Sequence, residues 1–187
     1  SVYGGSGNDT LTVDETTYTA PTFHGAGGTD VLILSNDAAT LSDAFFTDVL
    51  SVASFQTENG TNDITLGTEA SAAGIATVTG GTGDDILNAT AMTSAVTLMG
   101  GTGTDTLTGG TNGSRLQGWA ATGLTNTWND TLTGGTGVDT FVLGNNAANA
   151  YGQYSSGNAS NKVASITGFT VGADRFELFT NSISIGT

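Results

Sequence analysis

The stretch Gly80-Gly81-Thr82-Gly83-Asp84-Asp85-Ile86-Leu87 decides the fold, because its pattern recurs along the chain. The pattern is two glycines, a variable residue, a third glycine, another variable residue, an aspartate and, two places later, an apolar residue. Three further full copies are Gly4–Leu11, Gly100–Leu107 and Gly134–Phe141. The less regular copies are Gly25–Leu32, the half-copies ending in Asn62-Asp63-Ile64 and Asn129-Asp130-Thr131-Leu132, and Gly109–Leu116, in which Ser114 replaces the aspartate.

Each copy combines residue types that can hold a hard cation. Glycines permit positive φ angles and close backbone approach, so that neighbouring carbonyl oxygens can converge. Ca²⁺ binds about six to eight oxygen atoms, which carbonyl groups and carboxylates can supply. The alternative is that the aspartates only form turns, since Asp and Asn favour turns without any ion. Stacked carboxylates would repel one another without a counterion, and this favours the calcium interpretation.

The repeat resembles the glycine-rich nonapeptide of the repeats-in-toxin (RTX) family of calcium-binding proteins. The resemblance implies several Ca²⁺ ions, export by bacterial type I secretion, and folding on external calcium at the bacterial cell surface. It also implies metal ligation by the loop carboxylates and the glycine-rich backbone around them. The candidate metal-site residues are Asp9, Asp30, Asp63, Asp85, Asp105, Asp130, Asp139, Asn8, Asp84, Gly5, Gly7, Gly81, Gly83, Gly101, Gly103, Gly135 and Gly137.

The spacing of the loops predicts a solenoid. Successive acidic loops from Asp9 to Asp130 lie about 20 to 33 residues apart, which fits turns of two nonapeptides with insertions. Apolar residues after each aspartate alternate with threonines, as in a half-buried strand. We therefore predict an all-β, right-handed parallel β-roll or β-helix with these loops in one column along one edge. Asp139 would begin a second column beside Ser114.

The repeat pattern also suggests where the domains lie. We expect a calcium-binding β-roll or β-helix over residues 1–148 and a C-terminal capping segment over 149–187, in a chain that is a fragment of a longer protein. Residues 163–179 are similar to the segment that commonly closes RTX arrays. Asp174 in this segment would either bind a last Ca²⁺ or pair with Arg175 or Lys162. The insertion at 38–49 is predicted to be a short helix or a bulged strand.

The composition excludes several classes of function. Seventeen acidic residues against three basic ones give a net charge of −14, which repels nucleic acid and anionic membranes. No apolar run reaches the roughly 20 residues that span a bilayer. The absence of cysteine excludes thiolate catalysis, and His24, the single histidine, has no second imidazole with which to form a relay. We therefore expect no enzymatic activity, no nucleic-acid partner and no membrane insertion.

Two functions fit these expectations. The first is a structural module of a bacterial surface-layer or surface-filament protein, which self-assembles with calcium into a homo-oligomeric lattice or filament. A cell-surface polysaccharide is a further candidate partner. The second is a C-terminal RTX export and folding module of a secreted hydrolase, toxin or adhesin. The irregular turn length favours the first, since toxin and protease arrays run as tighter blocks of consecutive nonapeptides.

Overall fold

Short alternations of threonine with an apolar residue form the strands. In Thr106-Leu107-Thr108 the leucine is fully buried and both threonines are partly exposed, as a strand with one buried face requires. The computed structural model describes residues 1–14, 16, 21–35, 38–119, 130–143 and 165–178. The strands of this described part are β1 (Val2–Gly5), β2 (Thr10–Val13), β3 (Phe23–Ala26), β4 (Val31–Leu34), β5 (Thr40–Leu41), β6 (Val49–Leu50), β7 (Ser54–Thr57), β8 (Asp63–Thr65), β9 (Thr77–Thr82), β10 (Ile86–Asn88), β11 (Val96–Thr102), β12 (Thr106–Thr108), β13 (Ser114–Trp119), β14 (Thr131–Thr133), β15 (Thr140–Leu143), β16 (Ser165–Thr167) and β17 (Arg175–Leu178).

The strand order in the sheets is that of a solenoid. An eight-stranded sheet has the order β17-β15-β13-β11-β9-β7-β4-β2, a six-stranded sheet has the order β16-β14-β12-β10-β8-β5, and β1-β3-β6 form a third sheet. The strands pair in parallel, each with the equivalent strand of the next turn. The chain thus passes through the eight-stranded sheet, turns at a loop and returns through the six-stranded sheet. The predicted all-β parallel β-roll or β-helix is confirmed.

Two rows of apolar side chains fill the interior between the sheets. Because parallel pairing keeps equivalent residues in register, each turn places its apolar residue directly over that of the previous turn. In the six-stranded sheet the row is Leu41, Ile64, Leu87, Leu107, Leu132 and Ile166. In the eight-stranded sheet it is Leu11, Leu32, Phe55, Val78, Leu98, Leu116, Phe141 and Phe176.

Aromatic rings cover the last described turn. Phe169 and Phe176 stack with their ring centroids 4.6 Å apart, and Phe141 lies 5.8 Å from Phe169 and 6.0 Å from Phe176. Phe169 and Phe176 lie in the segment predicted to cap the array, and its described residues continue both large sheets through β16 and β17. Residues 149–164 and 179–187 of that segment lie outside the described residues, and the proposed domain boundary stays a prediction.

An insertion replaces part of the repeat between residues 39 and 75. It contains a 3₁₀ helix, Asp43–Phe46, and a short α-helix, α1, Thr68–Ala73. Phe46 packs edge-on against Phe45 and Phe55 with centroid distances of 5.3 and 5.1 Å. The insertion predicted as a short helix or a bulged strand therefore contains a 3₁₀ helix. None of the helices in the described residues has the length and apolarity that a membrane crossing requires.

One carboxylate ties the two helices together. The side chain of Asp43 accepts hydrogen bonds from the backbone N–H groups of Gly67, Glu69 and Ala70, at 2.7, 2.9 and 2.9 Å. These N–H groups lie at the start of α1, where a helix has no internal acceptors for them. Asp43 therefore caps a helix that begins 25 residues later, without any ion.

Ala26 provides a stability prediction. It pairs in register with Gly5, yet it has a φ of 74°, in the left-handed region that disfavours a β-carbon. We expect Ala26→Gly to raise the free energy of unfolding by about 0.5–1 kcal/mol, since relief of strain exceeds the added entropy of the unfolded chain. Urea unfolding in saturating calcium measures the change. Ala76→Gly, at an exposed position outside the left-handed region, is the control and should be destabilising. An unchanged or lower stability for Ala26→Gly would contradict the strain.

Candidate calcium-binding columns

Two columns of loop residues run along the solenoid. The first column precedes the strands of the six-stranded sheet and the second precedes those of the eight-stranded sheet. Strand register defines the members, because each lies one place before a set of paired residues. The first column consists of Ala39, Asn62, Asp85, Asp105 and Asp130. The second consists of Asp9, Asp30, Ala53, Ala76, Val96, Ser114, Asp139 and Asp174.

The prediction that all loops from Asp9 to Asp130 share one column is wrong. Asp9 and Asp30 lie in the second column, at the same edge as Asp139 and Asp174. The long step after Asp30 contains one and a half turns. The chain passes through β4 to the first column, returns through β6 to the second, and reaches the first again before β8. Asp139 does lie beside Ser114, whose backbone N–H donates to its Oδ1 at 2.7 Å.

Asp63 is not a member of the first column. Asn62 occupies the aspartate position there, because Asp63 pairs in register with Ile86 and not with Asp85. Asp63 is exposed, whereas Asn62 is fully buried. Side chains alternate between the two faces of a strand, so a shift of one residue moves the carboxylate from the loop interior to solvent. The structure therefore places Asp63 outside the column, and its assignment as a ligand stays a prediction.

After the first turn, one oxygen of each column carboxylate joins two turns. Oδ1 accepts a hydrogen bond from the backbone N–H of the equivalent residue one turn earlier in the chain. Because the contact is repeated, these carboxylates have the same fixed orientation. The N–H of Asp9 donates to Oδ1 of Asp30 (2.8 Å), and that of Asp139 to Oδ1 of Asp174 (2.8 Å). In the first column the N–H of Asp85 donates to Oδ1 of Asp105 (2.9 Å), and that of Asp105 to Oδ1 of Asp130 (3.0 Å).

The other oxygen of most of these carboxylates is buried and has no hydrogen-bond partner. This holds for Oδ2 of Asp9, Asp30, Asp85, Asp105 and Asp139. Buried polar atoms are nearly always paired, and a carboxylate oxygen left alone in a protein interior is costly. Five equivalent oxygens without partners therefore indicate a ligand that is not part of the chain.

Carbonyl oxygens surround these unpaired atoms. A β-carbon on Gly80 would come closer than 3.0 Å to both Oδ2 of Asp85 and the carbonyl oxygen of Gly100. The first glycine of each other loop is crowded in the same way, by its own loop's Oδ2 and by a carbonyl oxygen of the next turn: Gly4, Gly25, Gly100 and Gly134. Carboxylate and carbonyl oxygens that converge in this way are the donor set that Ca²⁺ prefers, so the loops fit the ion.

The predicted loop glycines serve this geometry in different ways. Gly135 has no positive φ, and a β-carbon there would collide with the carbonyl oxygen of Gly110. Gly7 has neither a positive φ nor an atom within 4 Å of a β-carbon. The remaining predicted glycines have positive φ angles between 100° and 148°: Gly5, Gly81, Gly83, Gly101, Gly103 and Gly137.

Asn8 and Asp84, also predicted as ligands, lie outside the buried columns. Both side chains are exposed. Oδ1 of Asn8 accepts the N–H of Thr29 at 2.8 Å, and Oδ1 of Asp84 accepts the N–H of Thr104 at 2.7 Å. They therefore link successive loops on the outer surface through hydrogen bonds.

Burial raises the pKa of three of the column carboxyls. Loss of solvation raises the pKa of Asp105 to about 8, and the charges of Asp130 and Asp85 add to the effect. Burial raises the pKa of Asp85 to about 6, against the lowering effect of hydrogen bonds from Asn62. The pKa of Asp139 is also raised, mainly by burial. Without a cation, the interior therefore disfavours the charged carboxylates that a metal ion would need.

The columns contain few side-chain ligands for each loop. Within the described ranges, no three His, Cys, Asp or Glu side chains gather into a cluster that could hold a metal. Each loop contributes one buried carboxylate, and the backbone supplies the other oxygens. A site of this kind depends on the glycine pattern as much as on the aspartate.

Asp174 joins the second column, which the sequence left undecided. Its Oδ1 accepts the N–H of Asp139, and its Oδ2 accepts the N–H of Thr170 at 2.7 Å. Arg175 donates from Nε to Oγ1 of Thr140 at 2.9 Å, and Lys162 lies outside the described residues. The sequence signals for this position are the closing-segment pattern and Gly172, which stands where the motif has its third glycine, whereas Phe169 and Thr170 replace the first two.

Comparison with known proteins agrees with this geometry. The family model of the RTX calcium-binding nonapeptide repeat matches in four copies, over residues 1–15, 72–91, 95–120 and 129–147. No curated protein and no solved structure matches the chain. The chain therefore contains RTX nonapeptide repeats, and these repeats bind several calcium ions.

Proposed function

We propose that the chain is a structural module of a bacterial surface-layer or surface-filament protein, which folds and self-assembles on calcium after type I secretion. The observation that carries the proposal is the row of buried, unpartnered carboxylate oxygens along both columns. Their burial makes the fold conditional on a cation. RTX repeats occur in type I-secreted proteins, and this supports an extracellular location where calcium is plentiful.

The columns explain how calcium would control folding. At low calcium the fold would be only marginally stable, because the stacked carboxylates repel one another and their burial is costly. Calcium at extracellular, roughly millimolar levels fills weak sites of this class. When bound, the ion supplies positive charge to oxygens from two successive turns, so folding free energy comes directly from the binding.

The same geometry supports a role without catalysis. The ring of His24 lies 4.9 Å from that of Tyr3, in a packing contact. The column carboxylates are committed to loop-to-loop hydrogen bonds through Oδ1. We therefore propose that the segment is not an enzyme, that copies of itself are its main partner, and that a cell-surface polysaccharide is a second partner.

A second candidate is an export and folding module of a secreted hydrolase, toxin or adhesin. The consecutive column of Asp85, Asp105 and Asp130 favours it, because this part of the chain stacks loops on one edge without interruption. In this case calcium would fold the module, and the activity would belong to another part of the protein.

Electron microscopy distinguishes the two candidates. We expect negatively stained samples in a few millimolar calcium to show ordered sheets or filaments that disappear after chelation. Magnesium at the same concentration is the control, and it should not restore assembly because it requires a smaller, stricter octahedral site. Compact single particles in calcium would contradict self-assembly and favour the export module.

A further inference from the structure

The loop formed by residues 57–62 takes a repeat position with only part of the repeat sequence, of which Gly60 keeps the third glycine. Thr57, Glu58 and Asn59 stand where the motif has Gly, Gly and a variable residue, and Asn62 stands in place of the aspartate. The loop also lies outside the four segments that match the family model. It nonetheless stacks on the Asp85 loop, with the N–H of Asn62 donating to Oδ1 of Asp85 at 2.9 Å.

The side-chain amide of Asn62 is surrounded by oxygen atoms. Nδ2 lies 2.8 Å from Oδ1 of Asp85, 3.2 Å from the carbonyl oxygen of Gly60, 3.3 Å from Oγ1 of Thr57 and 3.4 Å from the carbonyl oxygen of Asn59. The whole residue is fully buried. The nitrogen is therefore in contact with carboxylate and carbonyl oxygens, the atom types that converge on the unpaired Oδ2 in the Asp85 and Asp105 loops.

Hydrogen bonding fixes the orientation of this amide. Oδ1 of Asn62 accepts the N–H of Ala39 at 3.0 Å, and Nδ2 faces oxygens that can act as acceptors. The flipped amide would place its oxygen against carbonyl and carboxylate oxygens and its nitrogen against an N–H. Only the observed orientation satisfies both sides of the group.

We infer that the Asn62 amide replaces a calcium ion in this turn, so that the loop is a calcium-independent clasp. Its two N–H bonds direct partial positive charge toward oxygens that a cation would otherwise bind. A carboxylate at this position would have an unpaired Oδ2, as in the next two loops of the column. The exchange of one oxygen for an NH₂ group therefore separates a metal-free loop from a metal-binding one.

The turn that precedes this loop has no carboxylates at its column positions. At the junction between the Asp30 turn and the Asn62 turn, the facing column residues are Ala39 in the first column and Ala53 in the second. The buried aromatic cluster and the Asp43 cap lie in the same insertion. Apart from the carbonyl oxygen of Ser51, which faces the Asp30 site, residues 39–75 therefore form a calcium-independent segment between two calcium-dependent parts of the solenoid.

The test is to create the missing site. Asn62→Asp should raise the number of calcium ions bound, measured by isothermal titration calorimetry, by one over the wild type. Without calcium, the variant should unfold at a lower temperature than the wild type because its new carboxylate faces that of Asp85. Thr61→Asp adds the same charge at the exposed neighbouring residue and should leave the ion count unchanged. An unchanged count for a folded Asn62→Asp would overturn the inference.

Hydrogen exchange provides a second test that requires no gain of function. In calcium-free wild type, the backbone amides of β8 should exchange at least about tenfold more slowly than those of β12, which lies between two aspartate loops. Asn62→Ala should abolish that difference, since it removes the N–H donors. Equal exchange of β8 and β12 in the calcium-free wild type would contradict the clasp. Neither test depends on whether the module assembles with copies of itself.

Discussion

Asp105→Ala is expected to lose two calcium ions and roughly 4 kcal/mol of stability in saturating calcium. Asp105 belongs to two junctions, because its Oδ1 accepts the N–H of Asp85 and its own N–H donates to Asp130. Weak extracellular calcium sites at about 10 mM calcium contribute roughly 2 kcal/mol per ion. Truncation removes a carboxylate from both sites and leaves the buried N–H of Asp85 without an acceptor.

Calorimetry gives the ion count and urea unfolding gives the stability of this variant. The control is Asp48→Ala, which removes one exposed carboxylate outside both columns and should retain every ion. A calcium stoichiometry and titration midpoint equal to those of the wild type would refute the assignment of the Asp105 loop.

Asp105→Asn separates the two roles of this carboxylate. An asparagine keeps an acceptor for the N–H of Asp85 and places an amide where Oδ2 is unpaired, as Asn62 does two loops earlier in the column. We expect this variant to lose the same ions as Asp105→Ala and to be more stable than the wild type without calcium. Lower stability in calcium-free buffer would show that the amide cannot replace the ion there.

The pH dependence of stability is expected to reverse sign when calcium is added. In calcium-free buffer, the raised pKa values mean that the folded chain binds more protons than the unfolded chain, whose aspartates titrate near pH 4. Stability should therefore fall as pH rises from about 4 through about 6 for Asp85 and about 8 for Asp105. With calcium, ions and protons compete for the same carboxylates, so stability should increase over this range.

Thermal unfolding from pH 4 to pH 9, with and without calcium, measures both slopes. The overall negative charge also destabilises the calcium-free fold as pH rises, so a variant is needed to isolate the column. Asp105→Asn should flatten the calcium-free curve between pH 6 and 8, where the wild-type carboxyl loses its proton. A calcium-free wild type whose stability rises with pH would contradict the burial of uncompensated carboxyls.

The repeat alone predicted the fold and the chemistry of the loops. A glycine pattern that recurs with an aspartate and an apolar residue requires stacked turns, and the leucine row from Leu87 to Leu132 follows from it. The edge occupied by each loop did not follow, because a turn has two loops and a step of 33 residues fits either one or one and a half turns. The insertion with the two helices has no repeat motif, so the sequence gives no sign of that additional half turn.

The sequence also could not predict which residue occupies the aspartate position in two of the loops. In Asn62-Asp63 either residue could fill the loop, and only strand register shows that the amide faces inward and the carboxylate outward. Asp174 is the opposite case: it lacks the first two glycines of the motif but occupies the aspartate position of the second column, since β17 pairs with β15 one residue later. Backbone stacking, which no short motif encodes, decides both cases.

Calcium ligands at only one edge of each junction give the solenoid a directional stiffness. Between Asp85 and Asp130 the ligand loops lie at the first edge, and the facing positions of the second column are Ala76, Val96 and Ser114. Under a bending load these turns should open at the second edge, where no ion resists separation. In the outer turns, whose aspartates lie in the second column, the preference is reversed, so the calcium-loaded rod should flex in opposite senses at its middle and its ends.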